Sequence, residues 1–225
     1  MNIGSTELLF LDNSTIPILD DAIPIQAYTR LDLSNSNPEL NSIDITNHHQ
    51  CQDYIDCVLT RNNALVAYGG YLEKRNLYSN KSNFTVNGSR RNIHLGIDFW
   101  AAAGTTVMTP ANGEVHSFQN NAAEGDYGPT LILKHDLNGS VFYTLYGHLS
   151  VASIEHLYEG KKFKKGEVLA TLGTPDINVN YAPHLHFQLI IDLEGKKGDY
   201  PGVCSEEKLD FYQKNCPDPN LLLKI

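Results

Sequence analysis

From residue 93 to residue 192 no sequence pattern outlasts one short run, and that argues against a helical core. Apolar or alternating stretches at 93–99, 106–108, 113–119, 130–135, 141–148, 168–172 and 184–192 are divided by turn signals. Among these are Ala111-Asn112-Gly113, Asn138-Gly139 and Lys164-Lys165-Gly166. Short strands separated by Gly, Asn and Pro at close spacing are the pattern of an all-β sandwich or barrel. The spacing predicts an all-β, antiparallel fold with one helical insert at 151–157. A faint internal repeat agrees. Gly104-Thr-Thr-Val-Met-Thr-Pro-Ala-Asn-Gly113 and Gly166-Glu-Val-Leu-Ala-Thr-Leu-Gly173 are each a Gly-led turn, a short β-run and a second Gly turn.

Residues 1–65 read differently. They are rich in Asn, Ser, Asp and Ile, carry Pro17, Pro24 and Pro38, and show little periodicity. They are expected to form a poorly structured acidic arm with at most short strands and a short helix at 47–59. A core domain at 66–200 and a C-terminal extension at 201–225 complete the expected division. The chain has 225 residues, enough for one domain with a real core plus an appended segment.

Charge narrows the function classes. The formal charge is −9, and nearly all of it falls in the first 60 residues. An acidic arm on a near-neutral body lacks the basic surface that a nucleic-acid binder needs. No stretch supplies the ~20 apolar residues of a membrane-spanning helix, and the N-terminus shows no secretory pattern. The expected location is cytoplasmic, or the cell envelope or exterior for a mature or trimmed form. Cys51, Cys57, Cys204 and Cys216 are too few for a disulfide scaffold. Their spacings match no common zinc pattern, and they read as thiols, with a metal at His48-His49-Cys51 the weaker alternative.

Three local patterns carry chemistry: His94-Leu-Gly-Ile-Asp98, Tyr146-Gly-His148-Leu-Ser150, and His184-Leu-His186-Phe187. In a strand, residues i and i+2 share a face. His184 and His186 then point one way, and Leu185 and Phe187 the other. His94 and Asp98 also share a face, with Gly96 leaving that face open. Imidazole nitrogen and carboxylate oxygen are zinc ligands, and three of them plus an open position make a catalytic site. His94, Asp98 and one member of the His184/His186 pair supply three. The other member and His148 remain as neutral imidazoles able to handle a proton or an oxyanion. Each pattern alone is compatible with a strand histidine of no particular role.

The three together, in this order, resemble the LytM/lysostaphin-type zinc metallopeptidases, peptidase family M23. That family carries H-x3-D, then a tyrosine-rich strand ending in His before Leu-Ser, then H-x-H. The resemblance covers roughly residues 90–192. It includes Tyr127-Gly128-Pro-Thr-Leu-Ile-Leu-Lys-His135 and the lipoyl-like hairpin at Val168-Leu-Ala-Thr-Leu-Gly173. It implies a groove floored by an antiparallel sheet, of duplicated hybrid-motif type. It also implies Zn2+ held by His94, Asp98 and His186, with His148 and His184 as the catalytic histidines that do not bind the metal.

The implied activity is a zinc metalloendopeptidase that hydrolyses peptide bonds in peptidoglycan stem or cross-bridge peptides. Two alternatives stand beside it: a zinc-holding module without turnover, as in degenerate relatives, and a cytoplasmic hydrolase with a non-wall substrate. A second set of residues resembles a subtype in which the M23 domain lies beside kinase-like and aminotransferase-like domains. It comprises Gly69-Gly70-Tyr71, Glu73, Arg75, Tyr78, Arg91-Asn-Ile-His94, Asp199-Tyr-Pro-Gly-Val203 and Cys216-Pro-Asp-Pro-Asn220.

Overall fold

A computed structural model describes residues 16–77, 85–86, 89–123, 125–178 and 181–225. The strands are β1 Tyr28–Arg30, β2 Val66–Gly69, β3 Thr85–Val86, β4 Ser89–Arg90, β5 Ile93–His94, β6 Ile97–Trp100, β7 Thr106–Met108, β8 Gly113–Asn121, β9 Gly128–Leu137, β10 Ser140–Gly147, β11 Lys162–Phe163, β12 Val168–Thr171, β13 His184–Ile190 and β14 Val203–Cys204. Eight form one sheet in the order β1-β2-β6-β13-β10-β9-β8-β11. Every pairing in it is antiparallel except β1 with β2. The fold is mostly β, as expected, and the insert predicted at 151–157 is a single helical turn, Ala152–Glu155.

The pleat sorts the side chains. Phe99, Leu131, Leu133, Phe142, Tyr146, Leu185, Phe187 and Leu189 enter one core, which β7 and β12 cover through Val107, Leu169 and Ala170. The two halves of the sequence repeat pair with each other, Thr106 opposite Thr171 and Val107 opposite Ala170. The opposite face has no single core. On one side of it Trp100 packs with Leu33, Tyr54, Ile55 and Val58. On the other, Ile132, Leu145 and Ile190 pack with Tyr200, Cys204 and Cys216. The histidines of β13 lie on this face, in the gap between the two clusters.

Residues 16–65 differ from the expected poorly structured arm. Ile18 and Leu19 are buried in the first core, β1 is the edge strand beside β2, and His48–Arg61 is a full helix. That helix starts where the sequence suggested, because the Asn47 side chain accepts from the His49 and Gln50 amides (3.0 and 3.2 Å). The apolar residues of the segment have no period because they serve different partners: the first core, the sheet edge and the helix interface. Residues 1–15 and Tyr78 lie outside the described residues. The C-terminal residues also pack in. β14 pairs with β5, and Leu222 and Leu223 enter the first core.

His135 is a buried structural histidine. Its Nδ1–H donates to Asn112 O (2.8 Å) and its Nε2 lies 2.7 Å from the Thr144 hydroxyl, with the ring stacked on Phe142. Burial pushes the imidazole down to about 4. Below pH ~6.5 the unfolded chain binds a proton that the folded chain refuses until about pH 4. Neutral His135 therefore contributes stability in full above pH ~6.5. The contribution is lost as pH falls through that window, up to roughly 3 kcal/mol. Urea midpoints at pH 7 and pH 4.5 should fall less steeply with acid in His135→Gln than in the parent. Equal acid sensitivity would exclude this contribution.

Candidate metal centre

β6 and β13 are neighbours, and their register sets Asp98 opposite His186 and Trp100 opposite His184. His94 reaches the same point from β5. The sequence pattern predicts one strand through 93–99, whereas the strand breaks at Leu95-Gly96 and His94 and Asp98 still meet. Gly96 leaves room for a ring. A Cβ there would lie 2.8 Å from His186 Cε1, 2.9 Å from its Nε2 and 2.6 Å from Phe187 O. The three side chains are buried, and they are the only such group of potential metal ligands among the described residues. His48 and His49 lie exposed at the start of their helix and join no such group.

The tautomers follow from partners that can only accept. His94 Nδ1 must donate to Gly70 O (2.9 Å). The Gln188 amide donates through Nε2 to Pro201 O (3.1 Å) and to Cys216 Sγ (3.2 Å). Its Oε1 therefore faces His186 Nε2, which must donate (3.0 Å). His94 Nε2 and His186 Nδ1 are then bare lone pairs 2.9 Å apart. Asp98 Oδ1 stands 3.3 Å from the first and 3.1 Å from the second. In these neutral tautomers three acceptors converge with no proton among them, an arrangement that calls for a cation. Zinc bonds of about 2.0–2.1 Å at tetrahedral angles place ligand atoms about 3.3 Å apart. The donor set therefore fits a zinc ion with one position left open.

Electrostatics favour the ligating forms. Burial, then the Arg75 guanidinium, holds His94 down at about 4, so it is neutral at pH 7. Burial alone would raise the Asp98 carboxyl. The Arg75 guanidinium beside it opposes burial, and the group is held well below the usual carboxylate range. Outer partners of this kind orient ligands and are part of a metal site.

His148 and His184 stand beside the triangle with ring centres 4.1 Å apart. His184 Nδ1–H donates to Ala182 O (2.7 Å), which leaves Nε2 free to accept. Trp100 stacks on the His184 ring at 5.7 Å. His148 follows β10 with φ +62°, a left-handed conformation uncommon in residues other than Gly, and Nδ1 finds no hydrogen-bond partner among the described residues. Burial pushes both imidazoles below their ordinary value. For His148, the proximity of His184 adds to the shift. The five residues line a cleft of about 390 Å³. Tyr146 lies in the core against Phe187 and not in that cleft.

Sequence reasoning did not single out Gln188, although its period-2 relation to His184 and His186 places it on their face. Arg75 stands in the second sequence resemblance with no role attached to it. The guanidinium is buried and donates from Nη1 to Asp98 Oδ2 (2.6 Å).

Comparison with known proteins places this site in a family. The model of Peptidase family M23 matches residues 92–199. A Haemophilus influenzae protein described as an uncharacterized metalloprotease is 35% identical over 125 residues, covering 52% of this chain and 24% of its own length. A DD-carboxypeptidase/endopeptidase Mpg of Neisseria meningitidis serogroup B is 35% identical over 100 residues, covering 44% and 20%. The chain thus spans about a quarter or less of these relatives. Among solved structures, the catalytic domain of lysostaphin from Staphylococcus simulans matches at 24% identity and a TM-score of 0.38, covering 57% of this chain and 83% of that one. The chain carries a peptidase family M23 domain over residues 92–199, and all five histidine and aspartate residues of the site lie within it.

Proposed function

We propose that the protein is a zinc-dependent metalloendopeptidase that hydrolyses peptide bonds in peptidoglycan stem or cross-bridge peptides. The observation that carries this reading is the converging set of three bare ligand atoms with two neutral imidazoles beside it. Relatives described as a metalloprotease and a DD-carboxypeptidase/endopeptidase support the substrate class.

His94 Nε2, Asp98 Oδ1 and His186 Nδ1 would hold the metal. Zinc in such a site supplies a lowered pKa for water and polarisation of a carbonyl. His184 Nε2, free because Nδ1 is committed to Ala182 O, accepts the proton lost as water adds to the peptide carbonyl carbon. It returns that proton to the amine nitrogen as the C–N bond breaks. His148 donates to the oxyanion that develops on the carbonyl oxygen. The cleft walls, Trp100 and Tyr181 among them, exclude water from the reacting bond.

Metal analysis followed by mass spectrometry of digested muropeptides tests the proposal. The expected result is about one zinc per chain and new cleavage products. A folded protein that takes up no zinc would refute it. Zinc uptake without cleavage of any muropeptide or Gly- or D-Ala-containing peptide would leave a metal-holding module.

A further inference from the structure

We propose that Arg75 is a positioning residue for the metal site, committing Asp98 to ligation through Oδ1 alone, with Glu73 holding Arg75 in place. The inference rests on the metal-centre reading above. Arg75 is almost fully buried, at 1% exposure. Nη1 donates to Asp98 Oδ2 (2.6 Å) and Nε donates to Glu73 Oε2 (2.5 Å). Glu73 is fixed in turn, since its Oε1 accepts from the Leu33 amide (3.1 Å). The guanidinium lies 5.7 Å over the Trp100 ring.

The backbone is shaped around this group. Gly70 has φ +104°, and a Cβ there would overlap Arg75 Nη2. The Gly70 carbonyl is the acceptor that fixes the His94 tautomer. The His94 amide donates to Glu73 O (3.0 Å), and the Arg75 amide donates to Asn92 O (2.9 Å). One short segment, 70–75, thus touches two of the three ligands, and it lies outside the span matched by the family, 92–199. These residues are the Gly70, Glu73 and Arg75 of the second sequence resemblance, for which sequence alone offered no role.

A carboxylate with both oxygens free can bind a metal through one or both. Arg presents a rigid planar fork whose donors occupy an oxygen directionally, which a Lys point charge does not. With Oδ2 occupied, only Oδ1 faces the site, and the open position is kept for solvent and substrate. A purely structural Arg75 would instead only neutralise the buried Asp98 and the partly buried Glu73.

The test uses the full chain with zinc and with cobalt(II) as a spectroscopic probe. Four-coordinate cobalt absorbs more strongly in the visible than higher-coordinate cobalt. In Arg75→Met the carboxylate is released, so visible absorption should fall. Zinc affinity by chelator competition should weaken about 10- to 100-fold. Arg75→Lys should recover only part of both. Glu73→Gln, which leaves the charge of Arg75 but loosens its seat, should move both in the same direction by less.

A zinc affinity within threefold of the parent and a parent-like cobalt spectrum in Arg75→Met would overturn the inference, even if the variant melts earlier. Should Arg75→Met fail to fold, the same two readings in Glu73→Gln decide. A parent protein that binds neither metal refutes the metal-centre reading itself, a distinct result.

Discussion

His186→Ala should abolish zinc uptake while leaving the protein folded. The side chain supplies one of three ligand atoms, and its ring joins the Gln188 amide to the site. Removing one of three ligands should lower metal affinity by at least roughly 10²–10³. The metal-free variant loses little stability because two effects oppose. Gln188 Oε1 is left without its donor, at a cost of about 1–3 kcal/mol. Against this, the repulsion of three facing lone pairs is relieved. Calorimetry with and without zinc reads the difference. At zinc 1,000-fold above Kd the parent should gain about 4 kcal/mol, seen as a raised Tm, and the variant should gain nothing. Gly96→Ala reaches the same point from the backbone, since its Cβ would displace the His186 ring. It should therefore weaken zinc binding with every ligand still present. Parent-like zinc affinity in His186→Ala would exclude the triangle as the metal site.

The part of this site that was legible in sequence depended on short-range periodicity. His184 and His186 share a face with Leu185 and Phe187 on the other, and two-residue alternation states this directly. The same alternation contained Gln188, whose role follows only from Pro201 and Cys216, remote in sequence. His94 and Asp98 were legible as a pair although the strand between them breaks at Leu95-Gly96. What was not legible came from contacts across long stretches of chain. Arg75 meets Asp98 from a strand-edge segment with no period of its own. Leu33, Tyr54 and Ile55 build a wall of the site face from a segment whose composition, rich in Asn and Ser, reads as a linker. Composition records the polar majority of such a segment, while packing depends on a few irregularly placed apolar residues. The result is a site whose ligands come from the family domain and whose outer contacts come in part from its flanks.

The second large effect separates catalysis from metal binding. His184→Ala and His148→Asn should each keep zinc at parent affinity and lower kcat for peptide cleavage by about 10²–10⁴. Asn is the conservative replacement at 148 because it tolerates the left-handed backbone there (φ +62°), so a loss cannot be assigned to strain. The two effects should not multiply in the double variant, since the rings stand 4.1 Å apart and act on the same reacting bond. The pH dependence carries a further sign. Proton acceptance needs neutral His184, and burial lowers its affinity for a proton despite the opposing pull of Asp98. His148 is lowered further by burial and by His184. The neutral forms therefore persist below the ordinary imidazole value of about 6.5. The acid limb of the kcat profile should lie below pH 6.5, with activity rising as pH increases through it. Variants that retain more than a third of parent kcat, or that lose zinc in proportion to activity, would remove His184 from proton transfer and His148 from oxyanion donation.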